Sequence, residues 1–299
     1  MTKIATKEIV IELANLVRSR YVFPDIGDEL ATHIMEKLRS EQYSDIESEK
    51  ALATELTRDL QSINEDRHLT VNFTPNLVEL IRSSISNERP QDAPHKETCG
   101  FDVVEMIENR IGYLKLDEFA DTKYAGDTAV KSMQKLIGAK AVVIDLRQNG
   151  GGSPKMVQLL TTYLFGHDPI HLNNFYMRET DSLDQFWTLP YVPGDRLTDA
   201  AIYILTSQDT FSAAEEFCYN LQNLNRATII GEVTGGGAHP GDDHILSEQL
   251  TTFIPHGRAI NPISGTNWEG TGVRPDIEVN AKVALEVAIQ TAESHITGC

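Results

Sequence analysis

The stretch that decides the fold is Ala141-Val-Val-Ile-Asp-Leu-Arg-Gln-Asn-Gly150-Gly151-Gly152-Ser153-Pro154. Ala141–Leu146 is an apolar run broken only by Asp145, as expected of a strand covered on both faces. Three glycines follow, which permit unusual dihedrals and close backbone approach. Lys155–Phe165 then has helical periodicity.

Working outward, the same grammar repeats. Ala201–Thr206 (AIYILT) reads as a second buried strand, Ala213–Leu224 as the helix after it, and Ala227–Ile230 as a third strand. Upstream, Phe101–Ile107 and Arg110–Leu116 flank the polar pair Glu108-Asn109, a hairpin signal, and Tyr124–Ile137 is helical by periodicity. Strand–helix alternation predicts an α/β core with a largely parallel sheet. From about Thr6 to Ile63 the pattern is helical, broken at Pro24, Asp25 and Gly27, with Ser44 and Asp45 as expected caps of a third helix. Leu69–Phe73 alternates like a strand. The expected division is a helical domain over 1–66 and an α/β core over 67–299. The Pro-containing polar stretch at 83–99 would form a loop or crossover.

The chain has 299 residues, with Lys+Arg 26 against Asp+Glu 44 and a net charge of −18. Such a field repels phosphate backbones and anionic lipid, so neither nucleic acid nor a membrane is an expected partner. No apolar run approaches the roughly 20 residues of a membrane-spanning helix. The amino terminus carries Glu8 and Glu12 in an amphipathic pattern, unlike a signal peptide. Cytoplasmic residence is the default expectation, with a trimmed leader left open. Cys99, Cys218 and Cys299 show no CxxC spacing, so no zinc site or disulfide framework is expected. No pattern in the sequence sets the oligomeric state.

Five segments are candidates for chemistry. Ser212 ends a polar loop after a strand and opens a helix, where free N–H groups and the helix dipole favour a developing anion. The same position is that of an ordinary N-cap. The Gly150–Gly152 run can donate N–H groups to an oxyanion but is neither a P-loop nor GxGxxG. The others are Gly231-Glu-Val-Thr234-Gly-Gly-Gly237-Ala-His239, Trp268-Glu269-Gly-Thr-Gly-Val-Arg-Pro-Asp276 and Asp66-Arg-His68-Leu-Thr70.

Taken in order, these motifs resemble the S41 peptidases, the tail-specific protease family. The likeness is greatest to the interphotoreceptor retinoid-binding protein-like branch and to the tricorn protease. It covers most of the chain: the helical cap, Asp66-Arg-His-Leu, the paired strands from Gly100, Asp145-Leu-Arg-Gln-Asn-Gly-Gly-Gly, Thr210-Phe-Ser212-Ala-Ala-Glu215 and Glu269-Gly-Thr-Gly-Val-Arg-Pro-Asp. The resemblance implies a crotonase/ClpP-like core of ββα units. It matches Ser212 to the nucleophile, and Ala213 and Gly151 to the oxyanion donors, with Gly152 as the alternative. His68 matches the general base and Glu269 the acid behind it. The carboxyl-terminal processing branch places a base lysine where this chain has Gly237, which excludes that dyad. His239, near the missing lysine, is the reserve base. About 30 residues separate His68 from Gly100, too few for a PDZ domain.

The resemblance implies a serine peptidase acting on peptides or unfolded polypeptide, without metal or organic cofactor. The alternative is a non-catalytic carrier of apolar ligands, a use of this fold in the retinoid-binding branch. An acyl-CoA enzyme rests on fold analogy alone.

Overall fold

In a computed structural model of the chain, which describes residues 3–75, 98–108 and 110–298, the Ala141 run is the strand β4 (Ala141–Asp145), buried along its whole length. The expected crossover at 83–99 lies almost entirely outside the described residues. Among the described residues there are seven helices: α1 (Lys3–Arg20), α2 (Pro24–Arg39), α3 (Glu49–Asn64), α4 (Thr122–Lys135), α5 (Pro154–Thr162), α6 (Ala213–Asn223) and α7 (Ala284–Thr297). The other strands are β1 (Thr70–Phe73), β2 (Phe101–Ile107), β3 (Ile111–Leu116), β5 (His171–Met177), β6 (Ser182–Trp187), β7 (Ala201–Thr206), β8 (Ala227–Gly231), β9 (Gly241–Ile245), β10 (Leu250–Pro255), β11 (Gly257–Ile260) and β12 (Ile277–Glu278).

The main sheet has the order β12-β8-β7-β4-β3-β2. All its neighbours are parallel except the β2–β3 hairpin, so the sheet is the expected α/β architecture. The apolar runs of β4 and β7 occupy its middle, where a strand is covered on both faces. Ala284, Ala288 and Ala292 of α7 cover one face, against Ile111, Val143, Tyr203 and Ile230. Small residues at that spacing let the helix lie close to the strands.

The chain divides into two compact units. One comprises residues 1–94, 176–183 and 239–258; the other comprises 95–175, 184–238 and 259–299. In the first, α1–α3 pack with the antiparallel sheet β1-β10-β9 around Leu13, Val17, Leu30, Leu52, Leu56, Leu69, Leu250 and Ile254. This unit therefore gathers strands remote in sequence, pairing Thr70 with Phe253, onto the three helices. Strands β11-β5-β6 form a further small sheet.

Local starts follow side-chain chemistry. Pro24 and Pro154 sit in the first turns of α2 and α5, where a missing N–H is harmless. Asp121 caps α4 through the Lys123 N–H. For α3 the cap is Ser48, which accepts from the Ala51 N–H at 3.2 Å, and not the expected Ser44 or Asp45. Tyr43–Asp45 complete the turns that close α2 instead. No helix among the described residues is long and apolar enough to cross a membrane.

Candidate active site

In the sheet unit, the loops that follow β4, β7 and β8 are tied into one assembly. Asn149 Nδ2 donates to the Leu116 carbonyl and its Oδ1 accepts from the Gly151 N–H, both at 2.9 Å. The Phe211 N–H donates to the Asn149 carbonyl at 3.0 Å, and the Thr210 hydroxyl to the Leu146 carbonyl at 2.8 Å. The Gly235 N–H reaches the Thr210 carbonyl at 2.9 Å.

On this frame Ser212 stands at φ 55, ψ −120, immediately before α6. A non-glycine residue there is strained by about 1–3 kcal/mol and persists only if its surroundings over-determine it. Glu215 supplies that constraint. Its wholly buried carboxylate accepts the Ser212 N–H at 2.8 Å, the Thr234 hydroxyl at 2.5 Å and the Gly236 and Gly237 N–H groups at 2.6 and 2.8 Å. One side chain thus fixes both the serine and the glycine loop. Burial raises its pKa despite the four donors, which pull the other way.

The glycine run packs against the same turn. A Cβ on Gly151 would lie 2.8 Å from Ser212 Cβ and 3.1 Å from the Ala213 nitrogen, and φ there is +115. Only glycine fits. Gly151 commits its N–H to Asn149. Gly152 forms a parallel bridge with Phe119, made by the Phe119 N–H to the Gly151 carbonyl and the Ser153 N–H to the Phe119 carbonyl. That pattern turns the N–H of Gly152 itself away from Phe119. Among the described residues neither the Gly152 nor the Ala213 N–H has an acceptor.

Glu269 closes the loop from the other end. Its carboxylate accepts the Ala238 N–H, while the Trp268 indole donates to the Gly237 carbonyl at 2.6 Å and the Gly270 N–H to the Gly236 carbonyl at 2.9 Å.

The histidines belong to the helical unit. Asp66, buried between α3 and β1, accepts the His239 Nδ1–H at 2.8 Å and the Tyr21 hydroxyl at 2.9 Å on Oδ2, and the His68 main-chain N–H at 3.0 Å on Oδ1. Burial pushes its pKa up, but the His239 bond and charge and the Tyr21 bond bring it below the usual carboxylate value. The His68 ring lies 5.7 Å from that of Phe253. Burial lowers its pKa to about 4; Asp66 opposes the shift, and the charges of His239 and Arg67 add to it. His68 is therefore neutral at pH 7.

One unit thus gathers Ser212, Ala213, Gly151, Gly152 and the loop that Glu269 braces, and the other gathers His68 and His239. Asp66 and Glu215 lie inside motifs that stand out in the sequence, yet the motif by itself gives neither a role. The S-x-x-E spacing of Ser212 and Glu215 was the available signal for the second.

Residues 110–279, more than half of the chain, match the model of peptidase family S41. Residues 2–107 match that of the N-terminal domain of Peptidase_S41 in eukaryotic IRBP. A carboxy-terminal-processing protease of Bartonella bacilliformis is 29% identical over 182 residues, covering 58% of this chain and 39% of that protein. The chain thus spans about two-fifths of that relative's length. Among solved structures, a lipoprotein from Streptococcus agalactiae superposes with a TM-score of 0.64 at 16% identity, over 97% of this chain and 96% of that one. The photosystem II D1 C-terminal processing protease gives 0.57 at 15% identity, over 95% and 96%.

Proposed function

Because the chain belongs to peptidase family S41, we propose that it is a serine endopeptidase-like hydrolase acting on peptides or partly unfolded polypeptide. Ser212 Oγ attacks the scissile carbonyl. The Ala213 N–H and an N–H of the glycine run receive the oxyanion, Gly152 being the donor not already committed. His68 takes the serine proton and returns it to the leaving amine. Glu269 is the acid assigned behind the imidazole.

What carries the reading is the Ser212 turn. The Ser212–Glu215 pair is a capping box, but an ordinary cap needs neither a positive φ at the serine nor a carboxylate that also ties the Gly236–Gly237 loop beside an uncommitted amide, and acyl transfer uses both. The test is labelling by a fluorophosphonate probe. Wild type is expected to label and Ser212→Ala, still folded by circular dichroism, to lose labelling by orders of magnitude. Equal labelling of the two, or none in wild type, would sink the proposal.

A second reading has its own support in the helical unit. A pocket of about 490 Å³ is lined by Ile11, Met35, Leu38, Tyr43 and Ile46, together with the charged Lys7, Arg39 and Glu41. That volume suits a small apolar ligand. Saturable quenching of protein fluorescence by a retinoid, abolished by Leu38→Arg, would favour the carrier.

A further inference from the structure

The motif assigns His68, yet the carboxylate two residues before it is the better-built feature. Asp66 is 1% exposed, and its two oxygens receive a phenol, an imidazole and a main-chain amide. Each donor has its own support. The Asn64 amide donates to the Tyr21 oxygen. The His239 ring, 5% exposed, meets the Phe23 ring edge-on at 5.4 Å, and the Arg258 guanidinium lies over that same Phe23 ring, 5.7 Å from its centre. Nothing in a plain turn before a strand calls for this. An Asx turn needs only the Asp66–His68 main-chain bond.

We infer that Asp66 is the positioning residue of His68, and that His239 serves as the donor that holds Asp66 and not as a base. The inference rests on the serine hydrolase reading and deepens it. The carboxylate takes the His68 amide on one oxygen and is clamped on the other by two donors from elsewhere in the chain, so the backbone that carries the imidazole cannot shift without breaking the clamp. With Nδ1 carrying the proton toward Asp66, His239 is held in one tautomer. Both imidazoles bias the ionisation of Asp66, and Asp66, His239 and Arg67 bias that of His68, so the cluster is electrostatically linked.

The two roles for His239 separate cleanly by rescue. A donor can be replaced by glutamine, whose amide N–H reaches a carboxylate; a base cannot. The experiment measures fluorophosphonate inactivation in the full chain as a maximal rate constant and a half-saturating probe concentration. His239→Gln is expected to keep the wild-type rate within about threefold, while His239→Ala falls at least tenfold. Asp66→Asn is expected to lower the rate constant about 10- to 100-fold with little change in half-saturation, since orientation and not probe binding is lost. Equal, large losses in His239→Gln and His239→Ala would make His239 a base and overturn the inference. So would wild-type rates in Asp66→Asn or His239→Ala. If Asp66→Asn fails to fold, the His239 pair decides alone. A wild type that labels no better than Ser212→Ala is a different result, which removes the hydrolase reading and this inference with it.

Discussion

The turn before β1 and the first turn of α6 each bury a carboxylate beside a candidate reactive side chain, and they hold it by opposite means. Glu215 is held by three main-chain N–H groups and one hydroxyl, none of which titrates near neutrality. Asp66 is held by an imidazole, a phenol and one amide. The outcomes differ in sign. Four neutral donors do not offset burial for Glu215, whose pKa stays raised, whereas a partner that can carry positive charge brings Asp66 below its usual value. Dipoles alone leave a buried carboxylate costly to ionise, whereas a neighbour that can carry positive charge favours the ionised form.

The largest effect should come from emptying the dipole cage. Glu215→Ala leaves the Ser212, Gly236 and Gly237 N–H groups and the Thr234 hydroxyl without their acceptor. At about 1–3 kcal/mol for each buried unsatisfied group, a loss of roughly 4 kcal/mol or more is expected in urea unfolding. Probe labelling should vanish with it, because Glu215 is the side chain that ties Ser212 to the glycine loop. A destabilisation under about 1 kcal/mol with labelling intact would show that the cage is decorative.

How much of this could be read beforehand follows from which forces are local. Strands β4, β7 and β8 were legible because a strand buried on both faces must be apolar throughout, and Ala201–Thr206 has the very bounds its sequence suggests. Strands β5 and β9 were not, because His171-Leu-Asn-Asn-Phe-Tyr-Met and Gly241-Asp-Asp-His-Ile carry polar residues on both faces. Nor does any local pattern tell that Val71 will pair with Thr252. At the site, Ser212 and the glycine run stood out, since strand–loop–helix junctions advertise themselves. Glu215 looks like an ordinary first-turn acid and Asp66 like a turn residue. Their partners lie about 20 residues on for Glu215 and 173 residues on for Asp66, so only the folded chain assigns them.

The comparison sharpens at Glu216, the next residue along α6. It is buried, Asn173 Nδ2 donates to it at 3.2 Å, and burial pushes its pKa up to about 8 against the pull of Asn173 and Asn220. Here neither cage nor counter-charge exists among the described residues, so the carboxyl keeps its proton. Between its ordinary value and pH 8 the folded chain binds more protons than the unfolded one, and stability must fall as pH rises through that window. Glu216→Gln removes the dependence. Relative to wild type it should gain roughly 4–5 kcal/mol at pH 8.5 and under about 1 kcal/mol at pH 5. Parallel stability curves for the two proteins from pH 5 to 8.5 would contradict a protonated Glu216.

The smallest effect probes the chargeable cage alone. Tyr21→Phe keeps the ring against Phe23, 6.0 Å away, and deletes only the hydroxyl that donates to Asp66. A hydrogen bond to a charged group contributes about 1.5–3 kcal/mol, and the variant should lose an amount near the lower end, because His239 and the His68 amide still hold the carboxylate. The loss should also have a pH signature. A depressed carboxylate pKa gives stability that is present above its unfolded value and lost as pH falls through the folded one. With one donor gone the folded pKa moves back up, so the gap between wild type and Tyr21→Phe should be full at pH 7 and close as the medium is acidified. A gap that is the same at pH 7 and pH 3 would mean that the phenol packs but does not stabilise the charge, and the contrast with the Glu215 cage would then disappear.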